Sequence, residues 1–235
     1  MESTRTASSQ PPAFRDATRV LSSVLAPLEK RVLISMATRM PRWINSDHLT
    51  ALALAAMVMA GAGFALTRWD IRAVWIVVAA LALNWFGDSL DGTLARVRKA
   101  ERPRYGFYVD HVLDIVGITI LMAGLASSGF MSPLVAMVFL VAYLLVSGEV
   151  FLATAVRGIF RMSFAGVGPT ELRILLAAGT LALTIDPHVD LGGLGRLRLF
   201  DAGGLIATAG LAVTLAVAVV RNGTALARLE PRPGR

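Results

Sequence analysis

Ala79-Ala-Leu-Ala-Leu-Asn-Trp-Phe-Gly-Asp-Ser-Leu-Asp-Gly-Thr-Leu-Ala-Arg96 starts as apolar sequence and finishes in alternating acid, small residue and base. Its first half is the tail of an apolar run that begins near residue 71. A helix needs roughly 20 mostly apolar residues to cross a bilayer, and a soluble core helix would show a polar face at helical spacing, which this run does not. The stretch therefore reads as a membrane helix whose end is acidic. Asp88 and Asp91 are three apart, which puts both carboxylates on one helix face. After a short basic loop, Tyr105-Gly-Phe-Tyr-Val-Asp-His-Val-Leu-Asp114 opens the next apolar run, with Asp110 and Asp114 four apart on one face. Two helices joined so closely can run antiparallel with their acidic stripes opposed.

The rest of the chain repeats the apolar theme. Of its 235 residues 55% are hydrophobic and only 17% charged, against about 25% charged in an ordinary soluble domain. A large soluble core could share that composition, so the distribution decides: apolar runs of near-membrane length recur, separated by short charged stretches. The fold class expected is an all-α integral membrane protein with six transmembrane helices, at about 48–67, 71–95, 108–129, 132–156, 170–186 and 202–221. Residues 1–12 read as a disordered Ser/Thr/Pro-rich tail, 13–47 as an interfacial amphipathic helix whose pattern runs from Phe14 to Met40 and ends in a turn over Pro41 to Asp47, 48–221 as one catalytic domain, and 222–235 as a basic C-terminal tail. In the amphipathic segment Val20, Val24, Leu28 and Leu33 mingle with Arg15, Arg19, Lys30, Arg31 and Arg39, the pattern of a helix lying in a membrane surface, with a break expected near Pro27. Trp43 suits an interfacial anchor, and Ser46 or Asp47 can cap the helix that follows.

Charge sets the orientation. Arg98, Lys99, Arg102 and Arg104 lie between spans two and three, Arg157, Arg161 and Arg173 flank the connection from four to five, and Arg221 and Arg228 follow span six. The other connections are poorer in net positive charge, Arg68 and Arg72 being a mild exception. Positive loops stay in the cytoplasm, so both termini and the acidic cluster are expected on the cytoplasmic side of the cell (inner) membrane. The formal charge of +7 then reflects loops and anionic lipid, and no nucleic acid is expected. Nothing at the N-terminus reads as a signal peptide. With no cysteine, thiolate metal sites and Cys nucleophiles are excluded.

Four acids on two facing stripes repel one another, and acids are costly in a membrane, so something positive must compensate. An oxygen-only donor set with no suitably spaced His favours a hard divalent cation, Mg²⁺ or Mn²⁺. Four carboxylates can hold two such ions, the arrangement that clamps attacking and leaving oxygens in phosphoryl transfer. Gly92 lies four after Asp88 and Ala95 four after Asp91, which leaves that face bare for a ligand. Arg96 offers a fork of donors suited to pyrophosphate, and Gly106 precedes Asp110 by four.

Asp88-x2-Asp91-Gly92-x2-Ala95-Arg96 followed by Gly106-x3-Asp110-x3-Asp114 resembles the signature of the CDP-alcohol phosphatidyltransferase family. Nine residues separate Arg96 from Gly106 where many members have eight, a difference confined to a polar loop. The resemblance extends to the six-span layout, the preceding interfacial helix and the Asn45 to Thr50 entry to span one. It implies transfer of a phosphatidyl or related phospho-alcohol group from a CDP-linked donor, CDP-diacylglycerol above all, to an acceptor hydroxyl with release of CMP. It implies that Asp88, Asp91 and Asp110 ligate metal, that Asp114 ligates or acts as general base, and that Gly92, Ala95, Arg96 and Gly106 surround the CDP moiety. The partners implied are a CDP-linked lipid donor, a small or lipidic alcohol acceptor and membrane lipid, and a homodimer is admissible.

His111 gives Asp-His-x2-Asp, similar to choline and ethanolamine phosphotransferases and suggesting a role in deprotonation. One residue along, it also faces about 100° away from Asp110, which suits packing equally. Glu171 and Arg173 in Gly168-Pro-Thr-Glu-Leu-Arg173 are candidates for an acceptor pocket. Arg157 and Arg161, read as four apart on one face, are candidates for an anionic acceptor such as a sugar phosphate; for both pairs plain loop charge is the alternative. Glu149 is an intramembrane acid and so a functional candidate, unless a hydrogen bond to a neighbouring helix accounts for it. Asn84, one turn before Asp88, is equally open, whereas His48 and His188 read as surface residues. Two rival functions use similar residues: an intramembrane prenyltransferase, which carries more spans and separates its Asp motifs widely, and a non-enzymatic divalent-cation-binding protein, which as a carrier would need acids across the membrane rather than at one side.

Overall fold

The apolar runs fold as helices whose ends fall where the sequence supplies starts and stops. The computed structural model describes residues 18–20, 25–161, 168–190, 192 and 195–231. Among these the α-helices are α1 (Ala26–Arg39), α2 (Ser46–Leu66), α3 (Val74–Val97, entered through a 3-10 turn at Ile71–Ala73), α4 (Pro103–Ser128), α5 (Pro133–Arg157), α6 (Pro169–Ala182) and α7 (Leu199–Leu229). Among the same described residues four short strands make two pairs: β1 (Thr18–Val20) parallel to β2 (Ile159–Arg161), and β3 (His188–Asp190) antiparallel to β4 (Arg196–Arg198).

Proline opens α4, α5 and α6, at positions where its missing N–H leaves no intrahelical bond unmade. Pro27 sits likewise in the first turn of α1, so it starts that helix and does not break it, and residues 18–20 upstream are extended where a helix was expected. The expected tail 1–12 lies outside the described residues. The cap of α2 falls on Asn45 and not on Ser46 or Asp47. Asn45 Oδ1 accepts from the His48 N–H at 3.0 Å while His48 Nδ1 accepts from the Asn45 N–H at 3.3 Å, a reciprocal cap that fixes the entry to the bundle.

Among the described residues five helical segments are long and apolar enough to cross a membrane: Ser46–Leu66, Ile71–Val97, Pro103–Ser128, Pro133–Arg157 and Leu199–Leu229. Six were expected. The segment expected at 170–186 forms only the 14 residues of α6, about 21 Å of helix against a hydrocarbon core of about 30 Å. Thr184, Asp186 and Pro187 end its apolar run, and the residue before a proline resists helical geometry. α5 and α7 leave large apolar side chains uncovered along their length, among them Leu134, Val141, Leu145 and Leu152 on α5 and Ile206, Val213, Val217 and Val220 on α7. Such belts belong against lipid, and the protein is an integral membrane protein.

The core lies where α2, α3 and α4 meet, around Ala60, Phe64, Val77, Leu81, Leu121 and Leu125. Small residues let these backbones approach. A methyl added at Gly61 would stand 2.7 Å from the Ile120 carbonyl, and one at Gly87 would stand 2.6 Å from the Leu49 carbonyl. A smaller cluster packs Leu33 and Ala37 of α1 on Leu49 of α2 and Leu90 and Leu94 of α3, which holds α1 across the acidic end of the bundle.

Candidate active site

Gly87 presses the last turns of α3 against the first turns of α2, and the acidic residues follow immediately. Asp88 on α3 and Asp110 and Asp114 on α4 each offer a carboxylate oxygen, and those atoms lie within 4.8 Å of one another. Asp88 and Asp110 are half-buried and Asp114 is exposed. Three oxygen donors from two helices at that separation suit a hard cation, and the cluster fits a divalent metal on the chemistry of its donors alone. Asp91 stands outside this trio. Its Oδ2 accepts from the Thr50 hydroxyl at 2.6 Å and its Oδ1 from the backbone N–H of Gly92, while its carbonyl accepts from the Ser46 hydroxyl at 3.0 Å. The entry turn of α2 therefore orients Asp91 directly.

The remaining motif residues leave a bare approach. A methyl at Gly92 would meet nothing closer than the Arg96 guanidinium at 3.4 Å, and one at Gly106 would meet nothing within 4 Å. Ala95 is half-buried beside them. Arg96 is exposed and donates to the Thr93 hydroxyl at 3.1 Å.

His111 lies beside the cluster, in an aromatic setting. Its Nδ1 lies 2.6 Å from the Phe107 carbonyl, and because a carbonyl only accepts, Nδ1 carries the proton. The ring stacks on Phe107 with centroids 4.2 Å apart and meets Phe151 edge-on at 5.1 Å. Asp110 Oδ2 is 3.8 Å from Nδ1.

Arg173 is brought to the cluster by α6. Its Nη2 donates to Asp88 Oδ2 at 2.5 Å and its Nε to Asn84 Oδ1 at 2.8 Å, while the Asn84 amide donates to the Ala53 carbonyl at 3.0 Å. Glu171 serves the helix start: Oε2 accepts from the Gly168 N–H and Oε1 from the Leu25 N–H, each at 3.0 Å. Arg157 and Arg161 do not share a helix face. α5 ends at Arg157, Gly158 adopts φ +66°, and residue 161 lies in β2. Arg157 donates to the Asn222 carboxamide oxygen, and Asn222 donates to Glu149 Oε1 at 2.5 Å, so Glu149 has a partner on a neighbouring helix. His48 and His188 are exposed or nearly so, as expected.

Three contributors escaped the sequence reading. Glu29 Oε1 accepts from Trp85 Nε1 at 2.7 Å, the Ser89 hydroxyl at 3.2 Å and the Thr170 hydroxyl at 2.7 Å, tying α1 to α3 and α6. Thr50 holds Asp91. Arg98, read as loop charge, donates to the carbonyls of Met40, Pro41 and Ile44 and closes the end of α1. No spacing in the sequence pairs residue 29 with 170 or 50 with 91; only the acid inside an amphipathic pattern and the hydroxyl at a helix entry hint at them.

No curated protein matches the chain. The family model described as CDP-alcohol phosphatidyltransferase matches residues 43–222, a stretch that runs from just before the cap of α2 to Asn222 and takes in both acidic stripes and Arg173. That covers well over half of the sequence, and the chain belongs to the CDP-alcohol phosphatidyltransferase family.

Proposed function

We propose that this membrane enzyme moves a phosphatidyl group from CDP-diacylglycerol to the hydroxyl of a small or lipidic alcohol. The acceptor oxygen bonds to the phosphorus attached to diacylglycerol, the bond from that phosphorus to the CMP phosphate breaks, and CMP leaves. The observation that carries this reading is the meeting of Asp88, Asp110 and Asp114 within 4.8 Å in a chain of this family. Asp88, Asp110 and Asp114, with Asp91 beside them, would hold Mg²⁺ or Mn²⁺, which when bound neutralises charge on the pyrophosphate and the departing CMP. An alcohol is a poor nucleophile, so a base within hydrogen-bond reach must take its proton. Asp114, the exposed member of the trio, is assigned that role, with ligation as its second duty. His111 is the next candidate, through Nε2, because Nδ1 is committed to Phe107. Gly92, Ala95 and Gly106 leave room for the CDP moiety, and Arg96 supplies donors to its phosphates.

The setting proposed is the cytoplasmic face of the cell membrane, with the basic Arg98 to Arg104 loop inside and α1 in the interface. α6 counts as a short sixth crossing. Its first turns reach Asp88, its Leu176 and Ala177 pack on the bundle core, and Gly179 approaches Phe200 at the start of α7, so it runs from the acidic end towards the opposite one. Family membership weighs against the prenyltransferase and carrier readings. The test is to incubate purified enzyme with CDP-diacylglycerol, Mg²⁺ and a panel of alcohols and score CMP. Release that depends on one alcohol supports the reading and identifies the acceptor; no release with any of them, in a preparation that binds the donor, refutes it.

A further inference from the structure

A positive charge paired with the acidic trio comes from across the bundle. Arg173 is held on both sides of its guanidinium, by Asp88 at 2.5 Å and by Asn84 at 2.8 Å. The Asn84 side chain is fixed by the Ala53 carbonyl, which leaves its oxygen for Arg173. Both members of the ion pair are largely covered, with side-chain exposures of 18% and 23%. The start of α6 is anchored independently, through Glu171 to Leu25 and Thr170 to Glu29, so the long arginine side chain can leave Asp88 without its helix moving. Removing either partner of a covered ion pair leaves the other uncompensated, so Arg173 offsets the charge of Asp88 within the cluster.

The same Asp88 oxygen belongs to the trio that suits a divalent cation. A guanidinium and a dication compete for it, by electrostatics and by occupancy. We propose that Arg173 is the resident counter-cation of the carboxylate cluster: a divalent ion must displace it from Asp88, and Arg173 thereby sets how tightly the cluster binds metal. This rests on the reading that Asp88, Asp110 and Asp114 hold a divalent ion.

The experiment is equilibrium binding of Mn²⁺ to the full chain in detergent without donor or acceptor, with free Mn²⁺ followed by electron paramagnetic resonance. Arg173→Gln removes the competing charge and should bind Mn²⁺ about tenfold more tightly, or better, because one unit charge beside a divalent site is a large term at partial burial. Arg173→Lys keeps the charge but lacks the fork that spans Asn84 and Asp88, and should fall between the two. Asn84→Ala, which frees the guanidinium, should shift affinity in the same direction by less. Unchanged or weaker binding by a folded Arg173→Gln overturns the proposal and leaves Arg173 a static ion pair. Should Arg173→Gln fail to elute as a folded species, Arg173→Lys decides: tighter binding supports the proposal and unchanged binding overturns it. A wild-type protein that binds no Mn²⁺ sinks the metal reading of the cluster itself, and the proposal with it.

Discussion

The two ends of the bundle treat charge in opposite ways. At the end where α3 gives way to α4, polar groups are satisfied by residues distant in sequence: Asp88 by Arg173, Asp91 by Thr50, Glu29 by Trp85, Ser89 and Thr170. At the other end Asp186 takes a hydrogen bond from the His188 N–H at 2.9 Å and another from Arg196 at 2.7 Å within one hairpin. Asp201, which accepts from the Ser132 N–H at 2.6 Å, is a long-range exception there. Local pairing serves a turn. Convergence from four helices holds carboxylates in places where like charges would otherwise separate, which costs stability and is kept where the chemistry uses it.

The comparison breaks most sharply at Asp88. Asp88→Asn takes one oxygen donor from the trio and the partner from Arg173, and CMP release should fall about a thousandfold, as when a principal electrostatic stabiliser is lost. Excess EDTA should do the same to the unaltered enzyme, and Mg²⁺ should restore it. Size-exclusion chromatography and CMP release together check the point. A folded Asp88→Asn with a tenth of the original rate, or full activity in EDTA, would mean that the acidic end is a structural feature like the other.

Next in size comes the backbone contact that puts Asp88 where it is. An alanine at Gly87 would place its methyl 2.6 Å from the Leu49 carbonyl and 2.9 Å from the Ala53 nitrogen. Both are helix backbone and cannot rotate aside. Gly87→Ala should therefore cost about 1–3 kcal/mol, the range for overpacking, and should lower activity because α3 must move away from Thr50. Gly148→Ala on α5 is the control, since a methyl there meets nothing within 4 Å. Unfolding midpoints in detergent should separate the two variants; equal midpoints would show that the α2–α3 contact is looser than its geometry.

Much of this was legible beforehand, and the reasons differ by region. Helical spacing alone put Asp88 with Asp91 and Asp110 with Asp114, and the short loop opposed the two pairs, so the cluster could be read from residues 87–114. Its internal division could not. Asp91 turns to Thr50 instead of joining the trio because α2 crosses at Gly87, a fact of helix packing that no spacing encodes. Arg173 was visible as a charge at the start of an apolar run, but its partner, 85 residues earlier, was not. The pairing of Arg157 with Arg161 failed for a local reason: Gly158, in the left-handed region, ends the helix between them. The sixth span came out short because Asp186 and Pro187 close its apolar run, and composition over a window hides such a stop.

The smallest effect is expected at Asp186, and it is the stricter test of the contrast between the ends. This carboxylate is fully exposed, and the His188 N–H, helped by Arg196, holds it below the usual carboxylate range. A lowered folded-state value means that the ionised carboxylate supports the hairpin at neutral pH. The support is complete above the unfolded carboxylate value and fades as pH falls through the folded one. Solvent and salt screen such a pair, and nothing links the hairpin to the acidic trio through hydrogen bonds among the described residues. Asp186→Asn should therefore keep CMP release within about twofold of the unaltered enzyme at neutral pH, since exposed pairs contribute little. Any difference in hairpin protection by hydrogen exchange should vanish as the pH drops below the carboxylate range, where the native side chain is also neutral. A loss of activity in Asp186→Asn comparable to that in Asp88→Asn would mean that the hairpin end reaches the chemistry after all, and that local pairing is no guide to which carboxylates matter.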